Sequence, residues 1–152
     1  QKISLVQKIK SYFGDDLTGL KFALWGLAFK PETDDIREAP ALYIIDELLS
    51  AGASITAYDP EAMDNVKAIV GDKIKYAVTS YDALENVDAL LIATEWSAFR
   101  NPDFSKMKSL MKNPIILDGR NLYELSAMEK RSFYYQSIGR KTINNLNKWK
   151  QY

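Results

Sequence analysis

Short apolar runs alternate with helix-patterned stretches along most of this chain, and that alternation constrains the fold more than any other feature. "KFALWG", "SITAYDP", "IKYAV", "VDALLIAT" and "PIILDGRN" each read as a strand, and "SFYYQSIG" as a sixth. The first is a continuous apolar run of the kind that fits a parallel strand buried on both faces. Between the runs lie helical patterns. Pro40 suits a first helical turn, where its missing N–H costs nothing. Leu42, Ile45, Leu48 and Leu49 then share one face, and Gly52 reads as the stop. "EAMDNVKAIVG" and "PDFSKMKSLM" are further helices, and "SYDALEN" is a helical turn with Ser80 as its expected N-cap.

Strand–helix alternation at this spacing builds βαβ units with right-handed crossovers. The expected fold is α/β: a Rossmann-like three-layer sandwich around a mostly parallel sheet of about six strands, in the order 3-2-1-4-5-6, preceded by an N-terminal helix. That helix is read from Ile3, Leu5, Val6, Ile9 and Phe13, which recur at helical spacing over residues 1–13. Its apolar face needs a partner. The chain opens on Gln1 in the middle of this pattern, so it is expected to be a piece of something longer. The expected organisation is a linker or domain end at 1–18, the sandwich at 19–140 and a polar, frayed tail at 141–152.

Composition narrows the function. The chain has no cysteine and no histidine, so it carries no thiolate nucleophile and lacks the commonest general base and metal ligand. Lys+Arg equals Asp+Glu, which gives no electrostatic reason to expect nucleic acid or an anionic membrane as partner. No apolar run approaches the roughly 18 residues of a membrane helix. The cysteine-free composition suits the cytoplasm. No catalytic residue and no metal site are expected.

In open α/β sheets, ligands sit beyond the carboxyl ends of the strands at the switch point, here between strands 1 and 4. Three loops fall there: "GLAFKPETDDIR", "TEWSAFR" and "DGRN". The first departs from the G-x-G-x-x-G fingerprint, keeping only Gly26, with bulky Leu27, Ala28 and Phe29 where a pyrophosphate needs close backbone approach. Lys30 offers a mobile ammonium for phosphate or sugar oxygens, or is a solvated surface lysine. Phe29 offers an apolar face to a flat ring, or is core. Asp34 and Asp35 cap a turn or pair with Arg37 or Arg120. Arg37 forks onto a phosphate, or pairs with Asp34 or Glu38. Arg120 suits a phosphate or ribose, or an aspartate partner. Trp96 is a lid over the core or a stacking ring. Asp59 takes a ribose hydroxyl or, more in keeping with Asp59-Pro60, forms a turn.

Taken in order, "GLAFKPETDDIREAP", "YDP", "TEW" followed by "FR", and "DGRN" resemble the C-terminal domain of the UDP-glucose/GDP-mannose dehydrogenase family, with the last two favouring its UDP-glucose 6-dehydrogenase branch. The likeness runs from Gln1 to Arg140. It implies a larger enzyme with an N-terminal NAD-binding domain, a central helical domain that forms a homodimer, and this UDP-binding domain. Such an enzyme oxidises UDP-glucose to UDP-glucuronate by two hydride transfers to NAD through a cysteine-bound thiohemiacetal. Residues 1–13 would then be the end of the central helix. The resemblance also implies that Phe29, Lys30 and Arg120 bind the UDP-sugar, that Arg37 reaches NAD, and that the catalytic cysteine and main NAD grip lie outside this chain. The alternatives are a sister dehydrogenase acting on UDP-N-acetylmannosamine or GDP-mannose, and a stand-alone nucleotide-binding module.

Overall fold

The computed structural model describes residues 2–145. It is a six-stranded parallel sheet in the order β3-β2-β1-β4-β5-β6, as the sequence predicts. The strands are β1 (Lys21–Trp25), β2 (Ser54–Tyr58), β3 (Lys75–Tyr76), β4 (Ala89–Ile92), β5 (Ile115–Asp118) and β6 (Tyr134–Gln136). The helices are α1 (Lys2–Phe13), α2 (Pro40–Ser50), α3 (Met63–Val70), α4 (Phe104–Leu110) and α5 (Leu125–Lys130).

Period-2 side-chain alternation feeds two separate cores. Phe22 and Leu24 of β1, Leu91 of β4 and Leu117 of β5 join the layer of α1, α2 and α3. Ala23, Trp25, Leu90, Ile92 and Ile116 point the other way, into the layer that holds Met107 of α4 and Met128 of α5. Pro40 starts α2 as expected, and Gly52, at φ 100°, follows its end. The apolar face of α1 finds its partner within this domain. Leu5, Val6 and Ile9 are buried, the Tyr12 ring lies 4.7 Å from that of Tyr134, and Lys10 reaches Glu47 of α2 at 3.8 Å. The side chain of Ile3 lies outside the description.

Four local readings differ. "IKYAV" yields only two paired residues, because β3 is an edge strand entered from a tight turn at Gly71–Lys73. Thr79, not Ser80, caps the turn at Asp82–Leu84, its hydroxyl oxygen accepting from the Asp82 N–H at 3.1 Å. Helix α5 has no counterpart in the sequence reading. And the tail does not fray at 141: Ile143 makes an antiparallel bridge to Tyr135, and the Asn145 amide donates to the Phe133 carbonyl at 2.9 Å. The rest of that tail, 146–152, lies outside the described residues.

Parallel pairing sets the carboxyl ends of the central strands flush. Trp25 pairs with Tyr58 and Ile92, and Ile92 pairs with Asp118. The loops that follow β1, β2, β4 and β5 therefore leave the sheet side by side.

Candidate functional site

The loop after β1 is shaped by close approach. Gly26 has φ 98°, and a Cβ there would lie 2.6 Å from Thr94 of the β4 loop. This glycine is needed for packing between two loops of the protein itself. The Thr94 hydroxyl donates to the Ala28 carbonyl at 2.8 Å, locking the same two loops. Further on, the Phe29 N–H donates to the Asp35 carbonyl at 2.7 Å, so residues 29–35 close on themselves. Ile36 is buried and anchors the turn, and the Asn65 amide of α3 donates to the Asp34 carbonyl at 2.8 Å. Phe29 and Lys30 stand out of this braced loop. Half of the Phe29 surface is exposed, unusual for a large apolar side chain here. Lys30 is exposed and makes no hydrogen bond or ion pair among the described residues.

Asp59, at the end of β2, is completely buried. One carboxylate oxygen accepts from the Leu27 and Ala28 N–H groups at 2.7 and 3.1 Å and from the Trp96 indole at 3.2 Å. The other accepts from the Glu61 and Ala62 N–H groups at 2.8 Å each. The turn-forming reading of Asp59 holds, but the residue does more: its charge takes the β1-loop amides that a dinucleotide's pyrophosphate would otherwise meet. Trp96 is 5% exposed and bonded to Asp59, so it belongs to the core and presents no ring for stacking.

The β5 loop is built on a second buried carboxylate. Asp118 accepts from the Arg120 and Leu122 N–H groups at 2.8 and 2.7 Å and from the Tyr135 hydroxyl at 2.6 Å. Burial first, and the Asp118 charge second, push the hydroxyls of Tyr123 and Tyr135 far above the ordinary tyrosine value. Asn121, at φ 58°, exchanges two hydrogen bonds with the Ile138 backbone. Arg120 is thereby held at the carboxyl edge. Its expected aspartate partner is replaced by a glutamate: the guanidinium bonds Glu95 of the β4 loop through a single carboxylate oxygen. The other oxygen, Oε1, is buried and has no hydrogen-bond partner among the described residues. Burial opposes ionisation of Glu95, but the Arg120 hydrogen bond and the charges of Arg120 and Arg100 outweigh it and lower its pKa.

Arg37 lies apart from these groups. Its guanidinium forks onto Asp35 at 3.0 and 2.9 Å, and its backbone N–H bonds the same carboxylate. The Arg37 hydrogen bonds, then its charge and that of Lys30, hold the Asp35 carboxyl at about 2. This pair borders an open groove of about 500 Å³ lined by Thr33, Ile36 and Asn65. Among the described residues, no hydrogen bond or ion pair joins Arg120 to Lys30 or to Arg37. None of their Asp and Glu side chains cluster as a metal shell would require.

Residues 23–125 match the model of the UDP binding domain of the UDP-glucose/GDP-mannose dehydrogenase family. The chain belongs to that family. It is 42% identical over 140 residues to a UDP-glucose 6-dehydrogenase of Rhizobium meliloti, covering 92% of this chain and 32% of that protein. Among solved structures, a UDP-glucose dehydrogenase from Pyrobaculum islandicum superposes with TM-score 0.70 at 31% identity, over 80% of this chain and 26% of that one. An NDP-N-acetyl-D-galactosaminuronic acid dehydrogenase from Methanosarcina mazei superposes with TM-score 0.75 at 28% identity, over 92% and 29%. The chain thus spans about a third of the length of the family members it matches. For a member of this family, sequence reasoning underrated Asp59, Glu95, Asp118 and Tyr135. The signal available for the two aspartates was their place as the last or next residue of a strand, at the ligand edge.

Proposed function

We propose that the chain is the C-terminal UDP-binding domain of an NAD-dependent UDP-glucose 6-dehydrogenase. In this reading, residues 1–18 end the central helical domain, 19–140 form the UDP-sugar domain, and 141–152 are an extension. The carrying observation is the pair of loops at the carboxyl edge: the family's UDP-domain match covers both, and each presents a cation, Lys30 and Arg120, from a braced backbone. Phe29 supplies an apolar contact beside Lys30. Charge-assisted bonds from these cations to phosphate or sugar oxygens orient the substrate.

The parent reaction is oxidation of the C6 alcohol of UDP-glucose to the carboxylate of UDP-glucuronate, with NAD supplying the hydride acceptor. This chain has no cysteine and contributes binding and orientation. Its β1 loop does not fit a dinucleotide, because the Leu27 and Ala28 amides are bonded to Asp59. Arg37, exposed beside the Asp35 groove, is the residue that reaches NAD from this side. The parent enzyme is a cytoplasmic homodimer formed through the central domain. Among the described residues, no helix is long and apolar enough to cross a membrane.

The likeness to the Methanosarcina enzyme favours a second reading, a sister dehydrogenase acting on another nucleotide sugar. Calorimetric titration of the chain with UDP, UDP-glucose and GDP decides. The proposal expects UDP and UDP-glucose to bind and GDP not to. Preference for GDP would support a GDP-mannose sister, and no binding of any of them at millimolar concentration would overturn the reading.

A further inference from the structure

We propose that Asp59 is the positioning residue of the UDP site, a resident anion that ties the Lys30 loop to the β4 loop, whose Glu95 in turn holds Arg120. The inference rests on the proposed UDP-binding reading and goes beyond it, since Asp59 is wholly buried and has no exposed surface to offer a ligand.

A carboxylate has about four lone-pair directions and no donor. Asp59 faces only donors: Leu27 N, Ala28 N and Trp96 Nε1 on one oxygen, Glu61 N and Ala62 N on the other. No cation pairs with it among the described residues, so backbone and indole dipoles alone stabilise its charge. Charge-assisted bonds of this type are about twice as strong as neutral ones.

The five donors come from three loops. Leu27 and Ala28 immediately precede Phe29 and Lys30. Trp96 immediately follows Glu95, whose side chain bonds Arg120. Glu61 and Ala62 lead into α3, whose Asn65 pins the far arm of the Lys30 loop. A single buried charge is thus one residue away from the Phe29–Lys30 pair on one side, and one residue plus one ion pair away from Arg120 on the other. Thr94, bonded to the Ala28 carbonyl, is a neutral second tie between the same two loops. Without the charge at Asp59, four amides and an indole N–H of the ligand edge lose their buried acceptor, and the neutral Thr94 hydrogen bond is left to hold the β1 loop against the β4 loop.

Asparagine is the discriminating substitution. Its single carbonyl oxygen can serve one donor set, and its NH₂ must then confront the N–H groups of the other. Asp59→Asn is compared with Asp88→Asn, a control of similar burial at the opposite edge, where Asp88 accepts from the Lys21 N–H at 2.9 Å. Two readouts are taken on the full 152-residue chain: UDP affinity by calorimetry, and hydrogen exchange at the Leu27 and Ala28 amides and the Trp96 indole. Asp59→Asn is expected to weaken UDP binding roughly ten- to a hundredfold, the scale set by small misplacements of binding groups. Exchange should quicken at both loops while the β1 and β4 strand amides stay protected. Asp88→Asn should lower the melting temperature and leave UDP affinity unchanged.

Trp96→Phe removes only the indole arm, and serves if Asp59→Asn does not fold. It should weaken UDP binding less than Asp59→Asn, with Leu27 and Ala28 still protected. Wild-type affinity in a folded Asp59→Asn, or equal losses in Asp59→Asn and Asp88→Asn, would overturn the proposal; so would unchanged affinity in Trp96→Phe. If the wild-type chain binds no UDP, the functional reading fails and exchange alone decides. Quickening at both loops then upholds the tie, and quickening confined to Glu61 and Ala62 refutes it.

Discussion

The carboxyl edge of the sheet has two halves built by one device and finished differently. On the β1–β2 side, Asp59 gathers backbone and indole donors, and the cation it leaves outside, Lys30, makes no hydrogen bond or ion pair among the described residues. On the β4–β5 side, Asp118 gathers two backbone amides and the Tyr135 hydroxyl, and the cation outside, Arg120, is already joined to Glu95. In both halves a buried carboxylate meets the backbone's need for acceptors, so the exposed cation is spared that task. The difference lies in loop freedom. An exposed lysine on a short braced turn acts as a point charge, whereas a guanidinium tethered through one oxygen is already oriented.

The largest expected effect separates the halves by their glycines. At Gly26 an added Cβ meets Thr94 at 2.6 Å with φ at 98°, so Gly26→Ala should cost roughly 2–4 kcal/mol from overpacking and backbone strain together. At Gly119 the nearest atom is the Ile92 carbonyl oxygen at 3.1 Å, so Gly119→Ala should cost distinctly less. Urea unfolding of the two variants checks the order, and equal costs would break the comparison.

Next in size is Tyr135→Phe. It removes the hydroxyl that donates to Asp118 and accepts from the Arg140 guanidinium at 2.9 Å, for a loss of about 1.5–3 kcal/mol. A loss below about 0.5 kcal/mol would place the Asp118 network outside the determinants of stability.

A smaller effect concerns alkaline pH. The folded-state values of Tyr123 and Tyr135 are raised, so the unfolded chain ionises first. Their contribution is therefore complete below about pH 10 and declines above it. Thermal melts across that range should fall more steeply for the wild type than for Tyr135→Phe, and parallel curves would count against the burial of these hydroxyls.

Smallest is the Asp35–Arg37 pair, which lies in solvent. With the Asp35 carboxyl held at about 2, the pair is intact above the ordinary aspartate value and is lost only as pH falls through about 2. Arg37→Ala should leave stability at neutral pH unchanged, because exposed pairs contribute little. In the parent enzyme it should raise the apparent requirement for NAD. Steady-state kinetics in which UDP-glucose alone suffers would reassign Arg37.

Much of this was legible in the chain. The strands followed from runs whose ends are punctuated by Gly26, Asp59-Pro60 and Asp118-Gly119, because a buried parallel strand needs continuous apolar residues, whereas their order was expected only from the general doubly wound pattern, which the sheet matches. Helix α5 was not legible: "LSAMEK" is six residues long and buries only Met128, too short for a period to register. Ile143 and Asn145 read as tail because their partners, Tyr135 and Phe133, lie 8 and 12 residues back in space that only the folded sheet defines. At the site, Phe29, Lys30, Arg37 and Arg120 could be named from loop position and resemblance. Asp35 was also named as a candidate partner of Arg37, which it is, but the long-range partners could not be named. Trp96 meets Asp59 across 37 residues, and Arg120 meets Glu95 across 25, through pairings that no local pattern encodes.

If the β1 and β5 loops together bind the UDP phosphates, as proposed, calorimetric titration of UDP into the wild-type chain, Lys30→Ala and Arg120→Ala will show it. Measurable wild-type affinity is expected, with a loss of roughly tenfold in each variant, the low end for charge-assisted bonds at a site open to water. Wild-type affinity in both variants would contradict a phosphate-binding role for these two loops.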